Sequence, residues 1–248
     1  MLLDKSWPQK DAFCDKMKKY LGEHLPSPSY YPGTDRKYEL FLKEFAGVAT
    51  QIEFSGKGEV FDGCVKPLWI QSIEKNPELF QRTESFCPVM GVHEIDAPTP
   101  DVFCAAAAEY VNEKVWGNLS TTIWASAQVL KEHEGAVRGF VNDVRCGAVG
   151  VNLWGGFNVF FPQLHWGAYP GNTPEDVQSG VGHGVGNFFQ YDNLKKVALW
   201  CPSVHDFQMA SPSSPAQGFK EAYRLCDFNV QQSYWAMIKC ASAILLGV

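Results

Sequence analysis

Glu84, Phe86, a set of cysteines and a histidine among glycines are the residues of this 248-residue chain with chemistry to offer. The loop Thr83-Glu84-Ser85-Phe86-Cys87-Pro88 carries a carboxylate and an aromatic ring either side of a serine. A carboxylate accepts hydrogen bonds from hydroxyls, and a ring offers a stacking face. The loop therefore reads as a ligand contact, and equally as a plain loop with an exposed acid. Reactive thiols need a helix N-terminus or a neighbouring cation. Cys104, in the first turn of an expected helix, meets the first condition weakly; most of the eight cysteines read as inert core residues. None forms C-x-x-C and no histidine stands at ligand spacing beside them, so no metal site is expected. Gly180–Gly186 reads G-V-G-H-G-V-G, like a phosphate loop. Val185 stands where a dinucleotide fingerprint needs glycine, and no Lys-Ser or Lys-Thr follows. His183 is more simply a turn residue, and His93, inside a strand pattern, a core or edge histidine. A G-x-S-x-G elbow is absent.

That loop closes a stretch, Cys146 to Asn187, holding ten of the chain's 22 glycines. Val149, Val151, Leu153, Trp154, Phe157 and Trp166 are interleaved with them. Large apolar groups beside glycine imply backbone packed closely against something, which fits a dense irregular core and a ligand wall alike.

The elements that must position these residues follow from periodicity. Ser6 and Gln9 fit a capping box opening a helix over 6–22, with Phe13, Met17, Tyr20 and Leu21 on one face. Thr34 can cap a second helix that turns Tyr38, Phe41, Leu42 and Phe45 inward and ends near Gly47. Residues 48–63 are weakly patterned. Pro67–Ile73 and Val89–Ile95 read as buried strands, and Thr99-Pro100 opens a helix running to about Lys114. Ser120–Ala125 is a strand. Ser126 caps a helix carrying Val129, Leu130, His133, Val137, Phe140, Val141 and Val144 inward. Ala148–Leu153 and Lys195–Cys201 are further strands. The alternation implies an α/β fold, an open and mostly parallel sheet with helices on both faces. Ligands in such sheets sit beyond the carboxyl ends of the strands, where the glycine-rich stretch begins. Residues 1–205 form one expected region. A linker around 211–215 and a helical tail over 218–226 and 231–246 make up 206–248.

Composition bounds the partners. The chain is 46% hydrophobic and 19% charged with net charge -6, and has no basic stripe, so no nucleic-acid partner is expected. No apolar run is long enough to span a bilayer, and the start lacks a secretory h-region. A cytoplasmic protein with reduced thiols is the expectation.

Five segments now follow one another from Glu84 to Cys201. They are Glu84-Ser85-Phe86-Cys87-Pro88-Val89, then Tyr110–Glu113 with Trp116–Ser120, then Gly147–Asn152, then Trp166-Gly167 with Ser179–Gly182, and last Lys196-Val197. In that order they resemble the C-terminal half of the aldehyde dehydrogenase superfamily: its E-x-F-G-P-V segment, helix-to-strand junction, G-x-V-x-V-N strand, F-G-G…S-G-x-G loop and closing K-x-V strand. The resemblance implies NAD or NADP as cofactor and an aldehyde as substrate. It makes Glu84 the contact to the nicotinamide ribose and Phe86 a neighbour of the nicotinamide. Trp154 and Phe157 would line the substrate channel at the aldehyde entrance. Lys195–Cys201 would pair with a neighbouring subunit, giving a homo-oligomer. Cys87 replaces a family glycine, and the loop over 153–178 is longer than the family's. The nucleophilic cysteine, the general-base glutamate and the Rossmann half have no counterpart here, and Cys14 and Cys64 lack G-Q-x-C surroundings. No catalytic residue is assigned. The expectation is the C-terminal portion of an oxidoreductase, inactive as this chain, or a non-catalytic interaction module that kept the sheet.

Overall fold

The computed structural model describes residues 1–24, 26, 28, 31–60, 62–161, 164–181 and 193–201. Gly182–Gly186 with His183, the linker and the helical tail lie outside the described residues. The chain falls into two compact units, Met1–Trp116 and one beginning at Gly117.

The first unit runs β1 (Leu2–Asp4), α1 (Lys10–Glu23), α2 (Thr34–Glu44), β2 (Ala49–Gln51), β3 (Leu68–Ile70), α3 (Pro77–Arg82), β4 (Val89–Gly91), β5 (His93–Ile95) and α4 (Pro100–Lys114). β1 pairs parallel with β5, while β3 pairs antiparallel with β2 and parallel with β4. β3 is buried throughout, and its alternation serves two cores. Leu68 and Ile70 pack with Tyr38, Phe41, Phe45 and Ile73. Trp69, on the opposite face, packs with Leu3, Cys14 and Val92.

Several sequence expectations change here. The single strand over 89–95 is two strands in two sheets. The chain switches at Val92, whose N–H donates to Ile70 O and whose carbonyl accepts from Ile73 N. The capping box at Ser6 does not form. Asp4, two residues back, captures both the Ser6 N–H (2.8 Å) and hydroxyl (2.9 Å), and the helix starts at Lys10. Tyr20 is exposed and stacks on His24 instead of facing inward. Thr34 is the first helical residue, not the cap. Its hydroxyl donates to Tyr31 O, and left-handed Gly33 (φ 81°) holds the cap position. Thr99 does cap α4, accepting from Val102 N at 3.3 Å, with Pro100 at the first turn.

The second unit holds β6 (Ser120–Ile123), α5 (Ala127–Glu132), α6 (Glu134–Asp143), β7 (Ala148–Val151) and β8 (Val197–Trp200). β6, β7 and β8 form one sheet, parallel throughout. The one open sheet expected from the alternation is divided: among the described residues, each set of strands pairs within its own unit. The α/β, mostly parallel character stands. The helix after Ser126 breaks at His133, which closes α5 through its N–H to Val129 O and opens α6 through its carbonyl. Lys196 ties β8 to the end of α6: its ammonium donates to Val141 O (2.9 Å), Asn142 O (2.7 Å) and Val144 O. Burial lowers the Lys196 pKa, so these carbonyls stand in for lost water.

Candidate functional site

The carboxyl ends of β6, β7 and β8 are held by one side chain. Asn152, just past β7, is 2% exposed. Its Oδ1 accepts from Ala125 N (2.8 Å), its Nδ2 donates to Cys201 O (3.4 Å), and its own N–H donates to Ile123 O (2.9 Å). It sits at φ 58°, a left-handed conformation asparagine tolerates better than most residues. The chain then folds back as a 3-10 turn, Gly155–Phe160, packed against all three strands. Thr122 Oγ1 accepts from Gly155 N at 3.0 Å and anchors its start. Glycine is required where backbone meets backbone: a Cβ at Gly147 would lie 1.9 Å from Gly167 O. At the amino ends of the strands Asn118 plays a matching part. Its N–H donates to Ser179 Oγ (2.7 Å), and its carboxamide exchanges hydrogen bonds with Asn172.

The glycine-rich stretch is buried core in one part and exposed surface in another. Val149 and Val151 are fully buried and Leu153 nearly so, whereas Trp154 is 54% exposed. Phe157 is half-buried and meets the Trp154 ring edge-on, centroids 5.6 Å apart. Trp124, after β6, is exposed as well.

Glu84 and Phe86 belong to the first unit, Trp154 and Phe157 to the second. Glu84 is exposed. Phe86 adopts φ 52°, a strained conformation for an aromatic residue that costs roughly 1–2 kcal/mol and must be held from outside. Lys37 of α2 holds it: its ammonium donates to Glu84 O (2.7 Å) and lies 5.0 Å above the Phe86 ring. Tyr31 packs against the same ring at 4.8 Å. The loop presents an exposed carboxylate on an anchored backbone, a fitting acceptor for vicinal hydroxyls. Sequence reasoning missed Lys37, because nothing in the spacing of residues 37 and 84 signals their contact.

The thiols are tuned away from reactivity. Burial pushes Cys104 and Cys146 up to about 11 and also raises Cys14 and Cys87, although Ser85 at Cys87 and Lys18 at Cys14 act the other way. Cys104 therefore gains nothing useful from its helix N-terminus. Native Cys104 and Cys146 are expected to resist iodoacetamide at pH 7.5 and to react once the chain is unfolded; mass spectrometry showing labelling at the unfolded rate would refute this burial argument. The linkage has a definite sign. A raised thiol pKa keeps the folded state protonated while the unfolded state ionises. Stability is then full below pH 9 and declines from pH 9 towards 11. Urea midpoints across that range measure it. Among the described residues, no cluster of three or more His, Cys, Asp or Glu is placed to hold a metal ion, and no helix is long and apolar enough to cross a membrane.

No family model and no curated protein matches the chain by sequence. Solved structures do. Betaine aldehyde dehydrogenase from Staphylococcus aureus superposes with TM-score 0.53 at 19% identity, covering 75% of this chain and 36% of its own. The fold is that of the aldehyde dehydrogenases. An aldehyde dehydrogenase from Bacillus cereus matches with TM-score 0.55 at 16% identity, over 75% of this chain and 35% of that one. A 3,6-anhydro-L-galactose dehydrogenase matches with TM-score 0.54 at 18% identity, over 76% and 37%. The chain thus spans little more than a third of the length of the aldehyde dehydrogenases it resembles.

Proposed function

We propose that this chain is the C-terminal portion of an NAD(P)-dependent aldehyde dehydrogenase, cytoplasmic, and unable to catalyse alone. The observation that carries the reading is the match in fold over 75% of the chain, with the ordered motifs from Glu84 to Cys201. Structures of the Staphylococcus aureus enzyme are in complex with NAD+. In the whole enzyme, NAD or NADP would accept the hydride. Glu84 would accept hydrogen bonds from the nicotinamide ribose. Phe86, held by Lys37 and Tyr31, would pack near the ring. Trp154 and Phe157 would wall the aldehyde entrance, their T-shaped pair offering an apolar face.

The experiment begins with whether the transcript continues in frame upstream of Met1. In such a longer chain, Glu84→Gln is expected to lower kcat/KM about 10- to 100-fold, the worth of a hydrogen bond to a charged group. The melting temperature should not move, because Glu84 is exposed. An unchanged kcat/KM would reject the ribose assignment.

The exposed Trp124 and Trp154 indoles favour a second reading, a non-catalytic module that binds protein through this aromatic surface and assembles through β8. Size-exclusion with light scattering separates the two. A discrete homo-oligomer of 1–248 favours the module, and aggregation favours a separated part.

A further inference from the structure

We infer that the Asn158 carboxamide reads a ligand: a small neutral molecule with a hydrogen-bond donor and acceptor on one edge, of the primary-carboxamide kind. Asn158 is 1% exposed, and both its Oδ1 and its Nδ2 are buried without a hydrogen bond. Burying an amide with neither pole satisfied forfeits its bonds to water and gains none in return. Six residues earlier, the equally buried Asn152 has both poles paired, so the local chain can satisfy a carboxamide where it serves the fold. A leucine of similar shape would fill the Asn158 site without that cost.

The position suits a ligand. Asn158 lies on the 3-10 turn seated against β6, β7 and β8, just past the carboxyl end of β7, where parallel sheets place their ligands. Residues three apart eclipse in a 3-10 turn, and Gly155, three before Asn158, is pressed against Thr121 O. Asn158 is therefore on the same side of the turn as Gly155 and is buried, while Trp154 is exposed. A primary amide is the self-complement of a carboxamide, since each donates one N–H to the other's oxygen. This deepens the aldehyde-entrance reading of Trp154 and Phe157, and rests on it for the route by which a ligand arrives.

The test uses chain 1–248, with acetamide as the probe and thermal unfolding as the readout. Wild type should gain melting temperature saturably with acetamide. Asn158→Leu should melt about 2–4 °C higher than wild type without ligand and gain nothing from acetamide. In parallel, the Asn158 side-chain NH2 resonance of wild type should shift on titration. A lower melting temperature for Asn158→Leu, an equal acetamide effect in both proteins, or an unmoved NH2 resonance would each overturn the assignment. Propanal competition separates this inference from the reading beneath it: acetamide binding that propanal fails to displace sinks the aldehyde entrance and leaves the Asn158 site standing.

Discussion

Purified 1–248 is expected to give no aldehyde-dependent reduction of NAD or NADP above a heat-treated control, and to bind neither dinucleotide measurably. Hydride transfer from an aldehyde needs a thiolate to add to the carbonyl, a base, and a turn that grips the pyrophosphate. The chain offers a candidate ribose carboxylate in Glu84 and an aromatic wall in Trp154 and Phe157. Its thiols Cys14, Cys87, Cys104 and Cys146 are all held protonated by burial. Groups that act as a unit lose many orders of magnitude when removed together. Apolar surface that the rest of an enzyme would cover should bind a hydrophobic dye. Saturable NADH formation, abolished by substituting Cys14, Cys64 or Cys87, would overturn the prediction and name the nucleophile.

Gly150→Ala is expected to be the most damaging small substitution in the second unit. A Cβ there would lie 2.1 Å from Leu153 O and 2.7 Å from Gly155 N. Both are backbone atoms of the chain folding back over β7, so no rotamer change relieves the overlap. Either β7 or the 3-10 turn must move, and Asn152 between them would lose its hold on three strand ends. The expected cost is about 3 kcal/mol, a fall of roughly 6–12 °C in melting temperature. Gly139→Ala is the matched control. It lies inside α6 with nothing within 4 Å of the added Cβ, and the same substitution should stabilise by about 0.5–1 kcal/mol. Two melting curves decide the matter: equal shifts in the pair would show that the returning chain leaves room for a methyl group at Gly150.

The strand beneath the candidate site was legible because its elements announce themselves locally. Val149 and Val151 read as a buried strand, and they are its core. The glycines around them signalled close backbone approach, which Gly147 and Gly150 make. The exposure of Trp154 against the burial of Leu153, its neighbour, was not legible, since both are simply large and apolar in the sequence.

The sequence by itself determined the α/β alternation, the three parallel-strand segments of the second unit, and the Thr99-Pro100 start of α4. These rest on periodicity and on partners within a few residues. Tertiary structure alone decided the rest. Asp4 rather than a helix claimed Ser6, and Gly33 displaced Thr34 from the cap. The strand at 89–95 divided between two sheets because β1 and β3 each supplied an open edge. Lys37 reached Glu84, Lys196 reached the end of α6, and Asn152 joined Ala125 to Cys201. The physical reason is range: a hydrogen bond acts over about 3 Å in space whatever the separation along the chain. Local pattern says that a polar group needs a partner, and only the folded chain says which one it meets.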